Sequence, residues 1–282
     1  MKRRYFKCKV LRMRKIETIK LVVSDLDGTL LTKDCYLSEE NLKAIQALKK
    51  AGILFGIATG RPHFSIGPLL PLWKLEGLVD VIIANNGYEI EVCSTQHFLY
   101  GVKLSLASLR QIIDEYQDLP GNFCLYQKDA LYGQVMDDFM LRVSKKNHLP
   151  AYEVDLKNFV QEDVEKLLLA CDPKDLDQIE AFYSQHLNPN YRGFKSQAYL
   201  FEFMHPSVSK LKGLQDYCLY SGIDIEEVVA FGDNLNDLEM IQGSGFGVVM
   251  SNGDPLVKDH ADHIAPHHDE HGFAQVVQSL LK

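Results

Sequence analysis

No run in this 282-residue chain approaches the roughly 18 consecutive apolar residues that a membrane-crossing helix needs, so no membrane association is expected. Close cysteine pairs are also missing. The six cysteines (Cys8, Cys35, Cys93, Cys124, Cys171 and Cys218) are scattered, a spacing that fits neither a disulfide framework nor a zinc ribbon, and a reducing cytoplasm suits them best. Internal repeats and low-complexity tracts are lacking, which excludes a solenoid or a fibrous array. Basic charge is scarce over most of the length. Residues 1–18, "MKRRYFKCKVLRMRKIET", hold eight Lys or Arg against the single Glu17, and with a total formal charge of −8 the remaining chain carries −15. So acidic a body is a poor partner for nucleic acid. The basic head has no apolar core of a signal peptide, and it reads as a disordered extension or as an upstream start ahead of Met13. No protein partner is evident.

What is present is globular: 46% hydrophobic and 24% charged residues, enough for a sizeable core. "IKLVVS" (19–24) reads as a strand. "SEENLKAIQALKKAG" reads as a helix, with Ser38 as N-cap, Leu42, Ile45 and Leu48 at helical spacing, and Gly52 as its stop. "ILFGIATG" (53–60) and "VDVIIANNG" (79–87) are further buried strands. Strand and helix alternating through short glycine-containing joints predict a parallel α/β sheet. The same grammar returns late, with "KLKGLQDYCLYSG" as helix, "VVAFGD" as strand, "NDLEMIQGSG" as helix, "FGVVM" as strand and "FAQVVQSLLK" as a closing helix.

Residues 88–204 read differently. "YEIEVCSTQHFLYGV" alternates and turns like a hairpin, "LASLRQIIDEYQD" and "DDFMLRVSKKN" are helical, and "YRGFKSQAYLFEFM" is a second hairpin. Asp172 with Pro173 is expected to cap a helix running to about Leu187. The fold class predicted is therefore α/β: a Rossmann-like parallel-sheet core over 19–87 and 205–282, with an inserted α+β cap domain over 88–204.

Every chemical candidate of the outer domain falls where a predicted strand ends. Asp25 and Asp27 follow the first strand, Thr59 and Arg61 the second, and Asp233 the strand "VVAF". Ligands of open α/β sheets bind at such carboxyl ends, so these distant residues should converge. Gly28 would let the chain curl off the strand and turn both acids toward one ligand. Asp25, Asp27, Asp233 and Asp237 would then crowd four carboxylates together, each like pair repelling by about 4 kcal/mol at about 4 Å. A cation must sit among them. Hard oxygen ligands without His or Cys select Mg2+, and Lys210 in "SVSKLKG" is the second cation expected, with Lys212 as its rival. Metal, lysine and helix N-termini around carboxylates describe phosphoryl transfer.

"DLDGTLL", "ATGR", "SK" and "GDNLND" together resemble the four ordered motifs of the haloacid dehalogenase-like hydrolases, and the insertion after "IIANNG" resembles the Cof-type sugar-phosphate phosphatase branch. The likeness spans nearly all of residues 19–282. It implies that Asp25 is the nucleophile forming an aspartyl phosphate, and that Asp27 protonates the leaving oxygen and then activates water. By the same resemblance Mg2+ is held by Asp25, the backbone carbonyl of Asp27 and Asp233, with Asn236 and Asp237 in support. Thr59 would bind a phosphoryl oxygen, Lys210 would neutralise charge, and Gly60 and Arg61 would lie against the substrate. The cap would close over the leaving group.

A DxDG segment alone is more often a turn; its occurrence with GDxxND after another strand is what makes a site. Thr59 could otherwise be a helix cap, Arg61 a surface ion pair, and Lys210 a solvated helix lysine. Gly87 is expected to serve a turn and nothing more. Asn252, in "VVMSNG", is a candidate support for the active site. The C-terminal histidines (His260, His263, His267, His268 and His271) match no standard zinc spacing, and His271–Phe273 depart from the Asp-Gly-Val usual in the family. Tyr126, Tyr132 and Tyr199 are expected in the core of the insertion. The function expected is a Mg2+-dependent cytoplasmic phosphatase acting on small phosphorylated metabolites, sugar phosphates foremost. A phosphomutase or phosphotransferase, or a non-catalytic phosphometabolite-binding regulator, are the alternatives on the same fold.

Overall fold

The computed structural model describes residues 19–282; the basic head 1–18 lies outside the described residues. The chain divides into two compact units, one comprising residues up to Gly60, Gly67–Tyr100 and Ser209–Lys282, the other Arg61–Ile66 and Gly101–Val208. The first unit opens with strands β1 (Leu21–Ser24), β2 (Leu54–Ala58), β3 (Val81–Ala84), β4 (Glu89–Val92) and β5 (His97–Tyr100). Strands β6 (Asn122–Gln127), β7 (Ala130–Gly133), β8 (Ala151–Glu153), β9 (Leu167–Ala170), β10 (Arg192–Gln197) and β11 (Leu200–Met204) belong to the second. The chain then returns to the first for β12 (Val228–Gly232), β13 (Phe246–Met250) and β14 (His263–Ala265).

The first unit is built on one eight-stranded sheet in the order β14-β13-β12-β1-β2-β3-β4-β5, parallel from β14 through β3. All four residues of β1 are buried, as fits a parallel strand covered on both faces. Leu21 and Val23 face a cluster with Leu214, Tyr217 and Met240 of the helices that follow. The opposite face packs on Phe273, whose ring lies 6.0 Å from Phe55 and 4.8 Å from Phe231. Helix Glu39–Lys50 forms as its sequence dictates: Ser38 caps it through the Asn41 N–H at 3.2 Å, acids occupy its first turn and lysines its last. Among the described residues no helix is long and apolar enough to cross a membrane.

Three sequence expectations need correction. The hairpin predicted within the insertion forms, but β4 and β5 extend the first unit's sheet instead. Asn86 and Gly87 both take positive φ and reverse the chain, so β4 pairs antiparallel with β3, and Ile90 and Val92 enter the cluster that holds Val81 and Ile83. The helix predicted after Pro173 begins only at Leu176 and ends at Gln185. Asp172 instead closes a turn, its carbonyl accepting from the Asp175 N–H at 2.9 Å. Gly87 does more than turn. At φ +99° a Cβ there would strike the Ser209 carbonyl, and a Cβ on Gly213 would lie 2.8 Å from the Gly87 Cα. These two glycines let helix Lys210–Ser221 start directly against the turn after β3.

The second unit has a six-stranded sheet in the order β10-β11-β9-β6-β7-β8, antiparallel except for the β7–β8 pair. Helices Leu106–Glu115 and Leu176–Gln185 pack on one face around Tyr116, Phe201 and Phe203. Helix Asp138–Asn147 covers part of the other face through Met140 and Val143. Tyr126, Tyr132 and Tyr199 are partly buried against these clusters.

An ion pair lies buried in this unit: Lys166 and Glu202 meet at 2.8 Å, their side chains 2% and 3% exposed. Removing one partner of such a pair strands the other charge, whereas replacing both by apolar residues is close to neutral. Glu202→Ala should therefore destabilise by about 3–5 kcal/mol, and Lys166→Met combined with Glu202→Leu should recover most of that loss. Denaturant unfolding of the two variants beside the wild type measures both.

Candidate active site

β1, β2 and β12 end side by side, because Ser24 is in register with Ile57 on one flank and Phe231 on the other. The residues that follow each strand are thus delivered to one edge of the sheet. The Asp25 N–H donates to the Phe231 carbonyl at 3.0 Å, extending the ladder by one residue before the chain departs. Gly28 then turns at φ +86°, and a Cβ there would lie 2.6 Å from Asp233 Oδ2. Glycine is required for both reasons.

Lys210 stands at the centre, with no solvent exposure. Its Nζ donates to Asp25 Oδ1 and to Asp237 Oδ1, each at 2.6 Å. The Ser209 N-cap sets it on the first turn of its helix. Lys212 instead pairs with Asp216 on the exposed side of the same helix. Asp237 is itself held from below: its Oδ2 accepts the backbone N–H groups of Asp233 at 2.9 Å and Asn234 at 3.1 Å. Thr29 Oγ1 donates to Asp233 Oδ1 at 2.9 Å.

Carboxylate oxygens of Asp25, Asp233 and Asp237 all lie within 4.8 Å of one another. Three acids facing one ammonium are under-neutralised, and the proton affinities of Asp25 and Asp233 register it. Burial first, with Asp237 and Asp27 adding to it and Lys210 opposing, pushes the Asp25 carboxyl up to about 7. Asp233 is raised well above the ordinary carboxylate range by burial and by the charges of Asp25 and Asp237. Burial alone would lower Lys210, but Asp237 and Asp25 outweigh it and hold the ammonium above its usual value. An all-oxygen donor set of this kind suits a hard divalent cation.

The remaining sequence candidates are distributed around this centre. Asp27 is not in the carboxylate group expected of it. β1 ends at Ser24, so residues 25–27 no longer alternate as a strand, and the Asp27 carboxylate, half-buried, lies 4.0 Å from Cys35 Sγ. Thr59 is buried, its N–H donating to the Ile83 carbonyl and its own carbonyl accepting from the Asn86 N–H. A Cβ on Gly60 would lie 3.1 Å from Asn86 Oδ1, and Asn236 Nδ2 donates to that same oxygen at 3.0 Å. Arg61 belongs to the second unit, where Nη1 donates to the Lys146 carbonyl at 3.3 Å. Sequence reasoning missed Thr29 and Asn86. The threonine directly after "DLDG" and the second asparagine of "NNG" were signals in plain view.

The histidines go separate ways. His260 Nδ1 contacts the Leu256 carbonyl, His263 lies on β14, and His271 faces Glu40 at 3.6 Å. His267, His268 and Asp269 do gather. Two of their ring nitrogens are already engaged, His267 Nδ1 accepting from the Asp269 N–H and His268 Nδ1 bonding the Leu31 carbonyl.

A profile of the haloacid dehalogenase-like hydrolases matches residues 22–277, and the chain belongs to this family, in its Cof-type branch. It is 28% identical over 271 residues to the 5-amino-6-(5-phospho-D-ribitylamino)uracil phosphatase YitU of Bacillus subtilis, across 93% of this chain and 97% of that one. The phosphatase YwpJ of the same organism is 26% identical over 289 residues, covering 93% of this chain and all of the relative. Among solved structures, a haloacid dehalogenase-like hydrolase from Bacteroides thetaiotaomicron superposes with a TM-score of 0.80 at 27% identity, over 93% of this chain and 100% of that one.

The raised Asp25 carboxyl has a consequence for stability. An acid that binds its proton more tightly folded than unfolded contributes fully below its unfolded value, and that contribution is lost as pH rises through the folded one. In chelator, the melting temperature should therefore fall between pH 3.8 and about 7, and Asp25→Asn should flatten that part of the profile. Thermal melts across the interval measure it.

Proposed function

We propose that this phosphatase hydrolyses small phosphorylated metabolites, sugar phosphates foremost, through an aspartyl-phosphate intermediate at Asp25. The observation that carries the reading is the Lys210 ammonium bridging Asp25 and Asp237 at 2.6 Å, with Asp233 beside them. Such a centre repels anions until a second cation arrives, and then becomes a receptor for phosphoryl oxygens. The under-neutralised carboxylates fit Mg2+, which Asp25 and Asp233 would hold together with the Asp27 carbonyl, Asn236 and Asp237 supporting. When bound, it supplies the positive charge that draws phosphate oxygens in and balances charge as phosphorus is attacked.

In the first step an Asp25 carboxylate oxygen forms a bond to phosphorus while the bond to the leaving oxygen breaks. Asp27, more exposed than Asp25, gives its proton to that oxygen. In the second step water attacks phosphorus, Asp27 takes the proton of the water, and inorganic phosphate leaves as the Asp25 carboxylate is regenerated. Lys210 fixes the nucleophile's orientation and offsets charge on the transferring group. Thr59, with Gly60 beside it, would meet a phosphoryl oxygen. A small phosphorylated metabolite as substrate is supported by the name of the Bacillus subtilis relative, whose substrate is a phosphate ester on a ribityl chain. Scattered cysteines, five of which are free thiols among the described residues, suit a cytoplasmic setting.

Asp25→Asn should fold and bind ligand but lose turnover by about 1,000-fold or more, and chelator should abolish wild-type phosphate release until Mg2+ is restored. Stoichiometric release of inorganic phosphate without a bisphosphate activator separates hydrolysis from mutase chemistry, and retained turnover in Asp25→Asn would sink the assignment. Asp27→Asn should lose far more activity on phenyl phosphate than on p-nitrophenyl phosphate, whose leaving group needs little help from an acid. The kcat/KM values on the two esters, which report the leaving-group step alone, decide whether Asp27 donates the proton.

A further inference from the structure

The turn carrying Asp27, which bridges back to Leu31, is also held from outside. Among its backbone groups the Thr29, Leu30 and Leu31 N–H groups all point to the Leu26 carbonyl, at 3.4, 3.1 and 2.9 Å. The carbonyls of Gly28, Leu30 and Leu31 also accept from three side chains outside the turn. Asn252 Nδ2 donates to the Gly28 carbonyl at 2.8 Å, Asn41 Nδ2 to Leu30 at 2.8 Å, and His268 Nδ1 to Leu31 at 2.7 Å.

The two asparagines are in turn fixed to the C-terminal segment, to which His268 itself belongs. Asn252 Oδ1 accepts the His268 N–H at 3.1 Å, and Asn41 Oδ1 accepts the Ala274 N–H at 3.1 Å. Each carboxamide therefore uses its NH2 toward the turn and its oxygen toward the C-terminal segment, which allows only one orientation of each amide. Asn41 is fully buried and His268 is 9% exposed, so water competes little for these bonds. Ala274 lies in the first turn of helix Gly272–Leu280, whose N–H groups lack partners within the helix, so the Asn41 bond supplies one.

We infer that Asn252 and His268 are positioning residues for phosphoryl transfer: they clamp the carbonyls at 28 and 31 and thereby aim Asp27, one residue before the first of them, at the leaving oxygen. This rests on the reading of Asp27 as the proton donor. Neither residue touches the reacting atoms. Asn252 faces the turn from the end of β13 and His268 from the segment that precedes the last helix, so the closing part of the chain is tied to the start of the catalytic loop. Asp25 is held independently, by its own N–H on Phe231 and its carboxylate on Lys210. Loosening the clamp should therefore spare nucleophilic attack and damage proton donation.

The experiment compares kcat and KM for phenyl phosphate and p-nitrophenyl phosphate in wild type, Asn252→Ala, His268→Leu, His268→Asn and Asp27→Asn, all with Mg2+ present. A misaimed acid costs about 100-fold, and kcat/KM reads the first step alone, before Asp27 turns to the water of the second step that both esters share; Asn252→Ala and His268→Leu should therefore lose on that order in kcat/KM with phenyl phosphate and less than about 10-fold with p-nitrophenyl phosphate. His268→Asn, which keeps a donor for the Leu31 carbonyl, should recover most of the loss. Equal losses of kcat/KM on both esters, or losses that follow the folded fraction read by near-ultraviolet circular dichroism, would overturn the inference. Should Asn252→Ala not fold, the pair of His268 variants makes the same comparison. If Asp27→Asn itself loses both esters equally, the proton-donor assignment is what has failed; if it discriminates and the clamp variants do not, the clamp has failed alone.

Discussion

A lysine with no access to solvent, held between two aspartates at 2.6 Å, is the interaction on which this chain's chemistry depends. A buried ammonium is costly unless it is paired, and here the pairing brings together positions 25, 210 and 237. The cost is met by geometry prepared over much of the first unit. Gly87 and Gly213 permit the helix start to approach the turn after β3, the sheet register brings Asp25 to the Phe231 carbonyl, and the Asp233 and Asn234 amides fix Asp237. With two acids on one ammonium and Asp233 in reach, negative charge still predominates. A cation would relieve that excess, and only with one in place could the centre receive the anionic phosphate ester of the proposed reaction.

The division of labour proposed for the two first acids accords with where the strand stops. Asp25 is the last residue to use the ladder and is buried, whereas Asp27 lies past the point at which the backbone leaves it and is half-buried. A nucleophile benefits from being held and desolvated, while a proton carrier must reach the leaving group and then water. One short sequence, "DLDG", thus creates two environments through the local geometry of the chain alone. Asn252 and His268, arriving from the far end of the sequence, supply what that local geometry leaves unfinished.

Membership of the haloacid dehalogenase-like hydrolases accords with this arrangement. The relatives of comparable length that carry functional names are phosphatases at 26–28% identity. At that level of likeness the fold and the broad reaction are shared.

Much of this was legible in the linear sequence. Buried β-branched runs ending in Asp, Thr or Gly-Asp marked the parallel strands and placed candidate residues at their carboxyl ends, because strand periodicity and the α/β alternation are local properties. Ser38 as a helix cap was equally local. What the sequence could not decide were questions of approach in space. Whether "YEIEVCSTQHFLYGV" joined the first sheet or the insertion turned on the backbone reversal at Asn86 and Gly87, and the hairpin pattern is the same in either sheet. Lys210 and Lys212 are indistinguishable by composition, and only the rotation of the helix against the turn after β3 buried one and exposed the other. Asp27 looked like a fourth member of the carboxylate group until the end of β1 withdrew it. The types of residue and their order were determined by the sequence; which of them meet was decided by the tertiary structure, since a contact between positions some 200 residues apart depends on registers and close approaches that no local pattern encodes.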